Sequence, residues 1–541
     1  MGSIRERDNI VIVNTAIGNG LNALPLKVEV AMDYLPPSLD NNEEKLDKDL
    51  RVHWIRRLIS GAGGGTKDRV QHALRTVRVD DKLDNHLATI DIAPTKVPLT
   101  SPEIDLPVAL GILAAAEVIP PQALLESLIV GELSMTGAVR ETTNAIAFAI
   151  LAKQKQFKSL LIPATNTTEA AMIDGINIIP VKTLEQVIRH FQGETITPAP
   201  KTQAESVEYE PEIDFSDVKR QELAKRALEI AAAGGHSVLM IGPPGSGKTM
   251  LSKAIIGILP PMTFEEKLEV TQIHSLTGEL TTDNPIMTQR PIIFPHHSIT
   301  AAGLVGGTGG SKEIRPGAIT LAHHGVLVLD ELPEFVKKNR SIIDLLRQPL
   351  EDKKVTISRV NGSVTLPANN ILIATMNPCP CGYHGDAVKT CTCSQKDRHQ
   401  YVKGISGPIL DRIDIQVAVP RVNFTEKVPT PARPSVEIRL GVERARKIQS
   451  ERFSFRKNGD KREKTNATMT PGEIAKFCGF TKEGEQQLKT RLKTNTISAR
   501  GVARVRMIAR TIADLAGSQS IEPEHVMEAL RFRVDEVSSH T

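Results

Sequence analysis

The chain has 541 residues, 40% hydrophobic and 24% charged, with a formal net charge of +4, the balance of a soluble globular protein of about three or four domains. Aromatic residues make up 3% with a single Trp, so stacking platforms for single-stranded nucleic acid are scarce, and the mild positive charge permits polyanion binding without requiring it. The opening MGSIRERDNI has no apolar signal core of the usual kind behind it, the longest apolar run, 106–116, is too short to cross a bilayer, and five cysteines in so long a chain exclude a secreted disulfide scaffold. A cytoplasmic protein with no membrane partner is expected.

Residues 1–192 read as a separate α/β domain. Ile10–Val13, Leu26–Ala31 and the alternating His86–Ala93 predict strands, Lys67–Val77 a helix, and Leu106–Ala116 a buried helix. Gly61–Gly65 is glycine-rich, but no Gly-Lys-[Ser/Thr] follows, so it reads as a flexible loop. The polar, Pro-rich stretch 193–211 reads as a linker, and a helical pattern then runs to Ala232.

The next stretch carries chemistry. Gly242-Pro243-Pro244-Gly245-Ser246-Gly247-Lys248-Thr249 fits the P-loop pattern, follows the apolar run Ser237–Ile241 and leads into a helix-compatible segment. Its glycines let backbone N–H groups turn toward phosphate oxygens, Lys248 would reach the β/γ-phosphates and Thr249 would hold Mg²⁺. Gly325–Glu331 is an apolar strand ending in two carboxylates, with Asp330 completing the metal shell and Glu331 polarising the attacking water. Ile371–Asn377 is a second such strand, ending in an amide placed to position that water or touch the γ-phosphate. ATP and Mg²⁺ are the expected cofactors.

These stretches, together with residues 290–298, 315–335, 377–382 and 406–414, resemble the AAA+ superfamily in its magnesium-chelatase-like branch, within it the YifB/ComM family. The resemblance runs from about Asp214 to Arg533. It implies an α/β fold with an AAA+ P-loop ATPase core (212–424), a C-terminal helical lid (425–541) and, across the linker 193–211, an N-terminal Lon-protease-like α/β domain (1–192). Residues 98–111 and 131–139 carry the Lon-like part. Lining up those motifs puts Glu103 where the nucleophile should be and Ile146 where the lysine should be, so this domain lacks the catalytic dyad; Ser101, nearby, has no paired base. By the same resemblance Arg412 is an arginine finger offered to a neighbour's γ-phosphate, and Arg500 contacts phosphates from the lid, with Arg504 and Arg506 as competitors for that role. Two departures stand out: residues 33–66 lack the Gly-Leu-Pro-rich stretch usual for the family, and Arg220 stands where a glycine is usual.

The segment 277–317 is implied to carry a β-hairpin insert. The run Val355–Leu366 alternates around Asn361-Gly362, a strong hairpin signal, and sits where minichromosome-maintenance helicases grip DNA; Arg359, with Lys353 and Lys354, would make the contact, the alternative being a solvated hairpin with incidental charge. Cys379, Cys381, Cys391 and Cys393 form Cys-x-Cys, nine residues, Cys-x-Cys, which suits structural Zn²⁺ with His384 as a substitute ligand, or four free thiols. Cys478 reads as core. The resemblance implies a homo-oligomeric ring, a hexamer, driving helicase-like branch migration of DNA; the alternative is a motor subunit that remodels a protein partner.

Overall fold

The computed structural model describes residues 10–34, 51–54, 65–77, 79–95, 102–202, 211–281, 283–308, 314–338, 340–359, 362–405, 407–422, 432–454, 464–494 and 498–533. Ser101, most of the loop 61–65 and of the stretch 33–66, Asn361, Ser406 and residues 203–210 of the expected linker lie outside them. The chain forms two compact units, one of residues 1–205 with 267–287 and 307–315, the other of residues 206–266 with 288–306 and 316–541.

In the first unit, Val11–Asn19 and Asn22–Tyr34 form an antiparallel hairpin that pairs Asn19 with Asn22 across a two-residue turn. His86–Ala93 adds antiparallel to the second strand and Arg51–Trp54 parallel to the third. The alternation read from the sequence holds: Val28, Val30, Ile90 and Ile92 all point into the core, because successive strand residues face opposite sides. The helix Asp105–Ala115 is apolar on nearly every side and ten of its residues are buried, as an all-round apolar helix must be. It approaches the sheet so closely that a Cβ on Gly111 would lie 2.7 Å from Val30 Cγ2. Arg69, on the helix Thr66–Thr76, forms an ion pair with the buried Asp105 at 2.6 Å. A parallel sheet of Ser127–Ile129, Ser159–Pro163 and Asn177–Val181 completes the unit. Part of the expected linker is anchored here, since the N–H groups of Ala199 and Thr202 donate to the carbonyls of Ile178 and Ala171 at 2.8 and 3.0 Å.

The second unit is built on a five-stranded sheet in the order Ile292–Ile293, Val326–Leu329, Ile371–Met376, Val238–Ile241, Ile415–Ala418. Every pairing is parallel, and the middle three strands are buried along their length, which explains their continuous apolar runs. Register places the chemistry. Ile241 is level with Met376 and Leu329 with Ala374, so the residues that follow, Gly242, Asn377 and Asp330, emerge together at the carboxyl edge of the sheet, where such folds bind ligands. Arg290 secures the edge strand: it donates to the Pro260 and His324 carbonyls at 2.6 and 2.7 Å and pairs with Glu266 at 2.7 Å.

The helix Glu222–Gly234 packs under this sheet and stops at Gly235, whose φ of 73° is the left-handed C-cap that glycine supplies without strain. Its last carbonyls are taken by the helix Ser435–Phe453: Arg446 donates to Ala232 and Gln449 to Ala233 at 2.8 and 3.0 Å. That satisfies acceptors the helix itself leaves open. Pro471–Phe477, Lys482–Thr494, Ala499–Leu515 and Pro523–Arg531 complete the helical region, and Cys478 is buried in its core as read. Arg220 has a φ of 57°. A left-handed backbone is what favours glycine, so the departure at this position has a structural meaning: arginine here accepts a strained conformation.

The hairpin of Lys354–Arg359 and Gly362–Pro367 is present, with Arg359 paired to Gly362; Asn361 lies outside the described residues. One face is packed, with Val355, Ile357 and Leu366 buried. The insert hairpin is also present, Gly306–Thr308 pairing with Ile314–Pro316.

Candidate nucleotide site and its neighbours

The glycine-rich loop expected to hold phosphate joins Val238–Ile241 to the helix Lys248–Ala254. Gly245 and Gly247 have φ values of 74° and 91°, and a Cβ on Gly242 would sit 2.0 Å from the Val419 carbonyl oxygen. The first two need glycine for conformation and the third for space, which leaves the loop as a shell of backbone N–H groups. The Ser246 hydroxyl is buried with no hydrogen-bond partner, an orphaned donor of the kind an anion would take up. Lys248 Nζ folds back on the loop, donating to the Gly242 and Pro243 carbonyls at 2.7 and 2.9 Å and to Asn377 Oδ1 at 3.4 Å. Burial lowers its pKa to about 8, with Asp330 and Glu331 acting in the opposite sense. A desolvated ammonium short of counter-charge is primed to receive phosphate oxygens.

Thr249 Oγ1 donates to Asp330 Oδ2 at 3.0 Å, so the two expected Mg²⁺ ligands converge on one point although 81 residues separate them. A hydroxyl and a carboxylate so placed fit a hard cation that takes oxygen ligands. Asp330 is held from behind by Thr375, whose Oγ1 donates to Asp330 Oδ1 at 2.5 Å and accepts from the Glu331 N–H at 3.0 Å. Thr375 is fully buried. Sequence reading passed over it as one more residue of an apolar strand. Glu331 is exposed, with φ of 58°, beyond the end of its strand.

Arg412 and Arg500 are brought together by a residue that motif reading did not select. Glu351 Oε1 takes Arg412 Nε at 3.0 Å and Arg500 at 2.8 Å. Arg500 lies in the helix Ala499–Leu515, which Ser498 caps by accepting from the Gly501 N–H at 3.1 Å. Its competitors are otherwise engaged: Arg504 pairs with the buried Asp414 at 2.9 Å, and Arg506 with Glu485 at 3.1 Å and with the Cys478 carbonyl. Arg500 is 45% exposed against 13% for Arg504.

Lys353 requires a correction as a DNA contact. Its Nζ turns inward to the Asn370 carbonyl at 3.3 Å, and burial lowers its pKa to about 8, Asp414 opposing and Arg504 adding to that shift. The cause is its backbone: Lys353 ends the helix Arg347–Asp352 with a φ of 53°, reversing the chain into the hairpin. Lys354 is exposed; the Arg359 side chain lies outside the described residues.

The four clustered cysteines come together, all sulfurs within 4.8 Å of one another. His384 is instead engaged by Arg398 at 2.8 Å. In the first unit, Glu103 is buried, accepting from the Gly18 N–H at 3.1 Å and from Thr142 Oγ1 at 2.9 Å, while Ile146 is fully buried on the helix Ala145–Gln154. A hydrogen-bonded carboxylate and an aliphatic side chain cannot act as an activated hydroxyl and its base.

Three family models match the chain: magnesium chelatase, subunit ChlI, over residues 214–427; the C-terminal part of that subunit over 432–533; and subunit ChlI of Mg-chelatase over 58–166. Among curated relatives, an uncharacterized protein YifB of Escherichia coli is 35% identical over 537 residues, covering 98% of this chain and 99% of its own. The competence protein ComM of Haemophilus influenzae is 37% identical over 475 residues, covering 86% and 89%. An uncharacterized protein of Mycobacterium tuberculosis is 35% identical over 445 residues, covering 82% and 86%.

Proposed function

Since this chain belongs to the YifB/ComM family of magnesium-chelatase-like AAA+ proteins, we propose that it is an ATP-hydrolysing motor that acts on DNA as a homo-oligomeric ring in the cytoplasm. The observation that carries the hydrolytic half is the convergence of Lys248, Thr249, Asp330 and Asn377 from three strands, with Thr249 and Lys248 bonded to the other two. When bound, ATP would supply the phosphoanhydride and Mg²⁺ positive charge to offset its phosphates. Thr249 and Asp330 would hold the ion. Lys248 trades its loop carbonyls for phosphate oxygens, Glu331 accepts a proton from the attacking water, and Asn377 orients that water. Arg412 serves a neighbouring subunit's γ-phosphate and Arg500 its own, once each leaves Glu351. The 1–192 segment acts as a Lon-like scaffold, and 425–541 as the lid.

DNA as the substrate rests on the likeness to a competence protein and on the hairpin beside Asn377, where Lys354 is exposed. Branch migration by a hexamer is the fullest form of this reading. Among the described residues no helix is long and apolar enough to cross a membrane. The direct test is ATP turnover across single-stranded, forked and four-way DNA at low salt. Stimulation that fades as salt rises, through counterion release, supports a DNA motor; turnover indifferent to every DNA structure overturns it. Mixing Arg412→Ala with Lys248→Ala subunits tests the shared site, since rescue requires an arginine donated across subunits. A second reading is favoured by the chelatase-subunit matches over 214–427 and 432–533: a motor that remodels a protein partner. It gains ground from the inward turn of Lys353, and turnover stimulated by a protein fraction but by no DNA would select it.

A further inference from the structure

We propose that Cys379, Cys381, Cys391 and Cys393 bind one zinc-class divalent ion as four thiolates, and that this ion braces Asn377 and the phosphate loop, so that losing it impairs hydrolysis more than nucleotide binding. The sulfurs of Cys379, Cys381 and Cys391 are 3.3, 3.6 and 3.7 Å apart in pairs. A disulfide needs about 2.05 Å, and all four thiols are free. A tetrahedral ion with metal–sulfur bonds of about 2.3 Å sets sulfur–sulfur edges of about 3.8 Å, close to the spacing found. A backbone N–H also reaches the cluster: that of Cys381 donates to Cys393 Sγ at 3.3 Å. Such a donor stabilises sulfur that has given up its proton and orients it toward a cation. Four soft thiolates in tetrahedral array select zinc over hard cations such as Mg²⁺.

The one-residue gap in each Cys-x-Cys is accommodated because the two pairs come from separate turns. Gly382, with φ of 86°, bends the first, its N–H donating to the Cys379 carbonyl at 2.9 Å. Ser394, directly after Cys393, caps the helix Gln395–Gly404 through a capping box with Asp397. Both turns lead to the nucleotide site. Cys379 follows Asn377 by two residues, and a Cβ on Gly382 would lie 2.8 Å from Pro244 Cδ of the phosphate loop. From the other side, Tyr401 on the capped helix lies beside the Asn377 backbone. An ion joining the pairs therefore clamps Asn377 from two directions. Binding expels the thiol protons to solvent, with no change in oxidation state.

The bracing half rests on Asn377 acting at the γ-phosphate, as proposed above; the metal half does not. For the metal half, the full chain is isolated under reducing conditions, its metal measured by mass spectrometry, and the stripped protein titrated with Co²⁺. About one zinc per chain and the visible bands of tetrahedral cobalt thiolate are expected; no bound metal with no such bands, or iron in place of zinc, overturns it. Cys391→Ser/Cys393→Ser should abolish both signals. For the bracing half, stripped protein should turn over ATP at least ~tenfold more slowly, recover with stoichiometric zinc, and bind nucleotide within ~threefold of the loaded protein. Unchanged turnover after stripping overturns the brace. Gly382→Ala keeps all four ligands but presses on Pro244, so it should retain zinc while slowing turnover; full turnover would count against the coupling. If Asn377→Ala also turns over normally, the error lies in the role given to Asn377 rather than in the brace.

Discussion

Lys248 offers a test in which a single proton reads out the nucleotide site. Burial holds its pKa near 8 instead of the ordinary 10.5, with Asp330 and Glu331 only partly compensating. Triphosphate oxygens supply the missing counter-charge and favour the charged amine, so nucleotide binds the protonated form and raises its pKa. In the free protein that form dominates below about pH 8 and is lost above it. The protonated fraction falls from about 0.9 at pH 7 to about 0.1 at pH 9, so affinity should drop about tenfold, or ~1.4 kcal/mol. An amine with the ordinary value would lose only about 3% over that interval. The assay is a fluorescent-nucleotide titration with Mg²⁺ held in excess, at half-unit steps from pH 7 to 9.5. Lys248→Arg is the control, because a guanidinium stays charged throughout and its weaker binding should be flat. Wild-type affinity that is equally flat would refute the reasoning, since the desolvation read from the loop would then not govern the amine.

Thr375→Val removes the hydroxyl that holds Asp330 and the Glu331 backbone; losing a hydrogen bond to a charged group of ~1.5–3 kcal/mol should cost turnover about tenfold or more while nucleotide affinity stays near wild type, and an unchanged steady-state rate would show that the carboxylate holds its position unaided. Glu351→Gln removes the carboxylate shared by Arg412 and Arg500; because this contact is partly exposed, unfolding should shift by less than ~1 kcal/mol, and ATP turnover should rise as both cations are freed, a fall indicating instead that Glu351 orients them. Asp414→Asn leaves Arg504 buried without its partner, a loss of ~3–5 kcal/mol in denaturant unfolding. In the unaltered protein burial pushes the Asp414 carboxyl up, but Arg504, His236 and the Ser237 N–H hold it well below its usual value. Its stabilisation is therefore present above about pH 4 and lost as pH falls further, so the variant should lack that share of the acid sensitivity.

The phosphate loop, the two carboxylates after Val326–Leu329 and the amide after Ile371–Met376 were legible in order along the chain because each is a local device: a run of glycines before a helix, or an apolar strand ending in a polar group. The hairpin and the wholly buried helix Asp105–Ala115 were legible for the same reason, since alternation and an unbroken apolar run are properties of a dozen neighbouring residues. Thr375 was not. Its value comes from lying one position beyond the Leu329–Ala374 pairing, and no feature of a single strand announces its partner's register. The same holds for Glu351, which joins arginines 61 and 149 positions further along, and for Lys353, whose charge looked available in a basic stretch until a left-handed turn sent its amine inward. Short-range chemistry is written in neighbouring residues, whereas whether a side chain meets solvent, a distant carboxylate or a carbonyl depends on contacts between strands and helices far apart in the chain, and these exist only once packing has set the register.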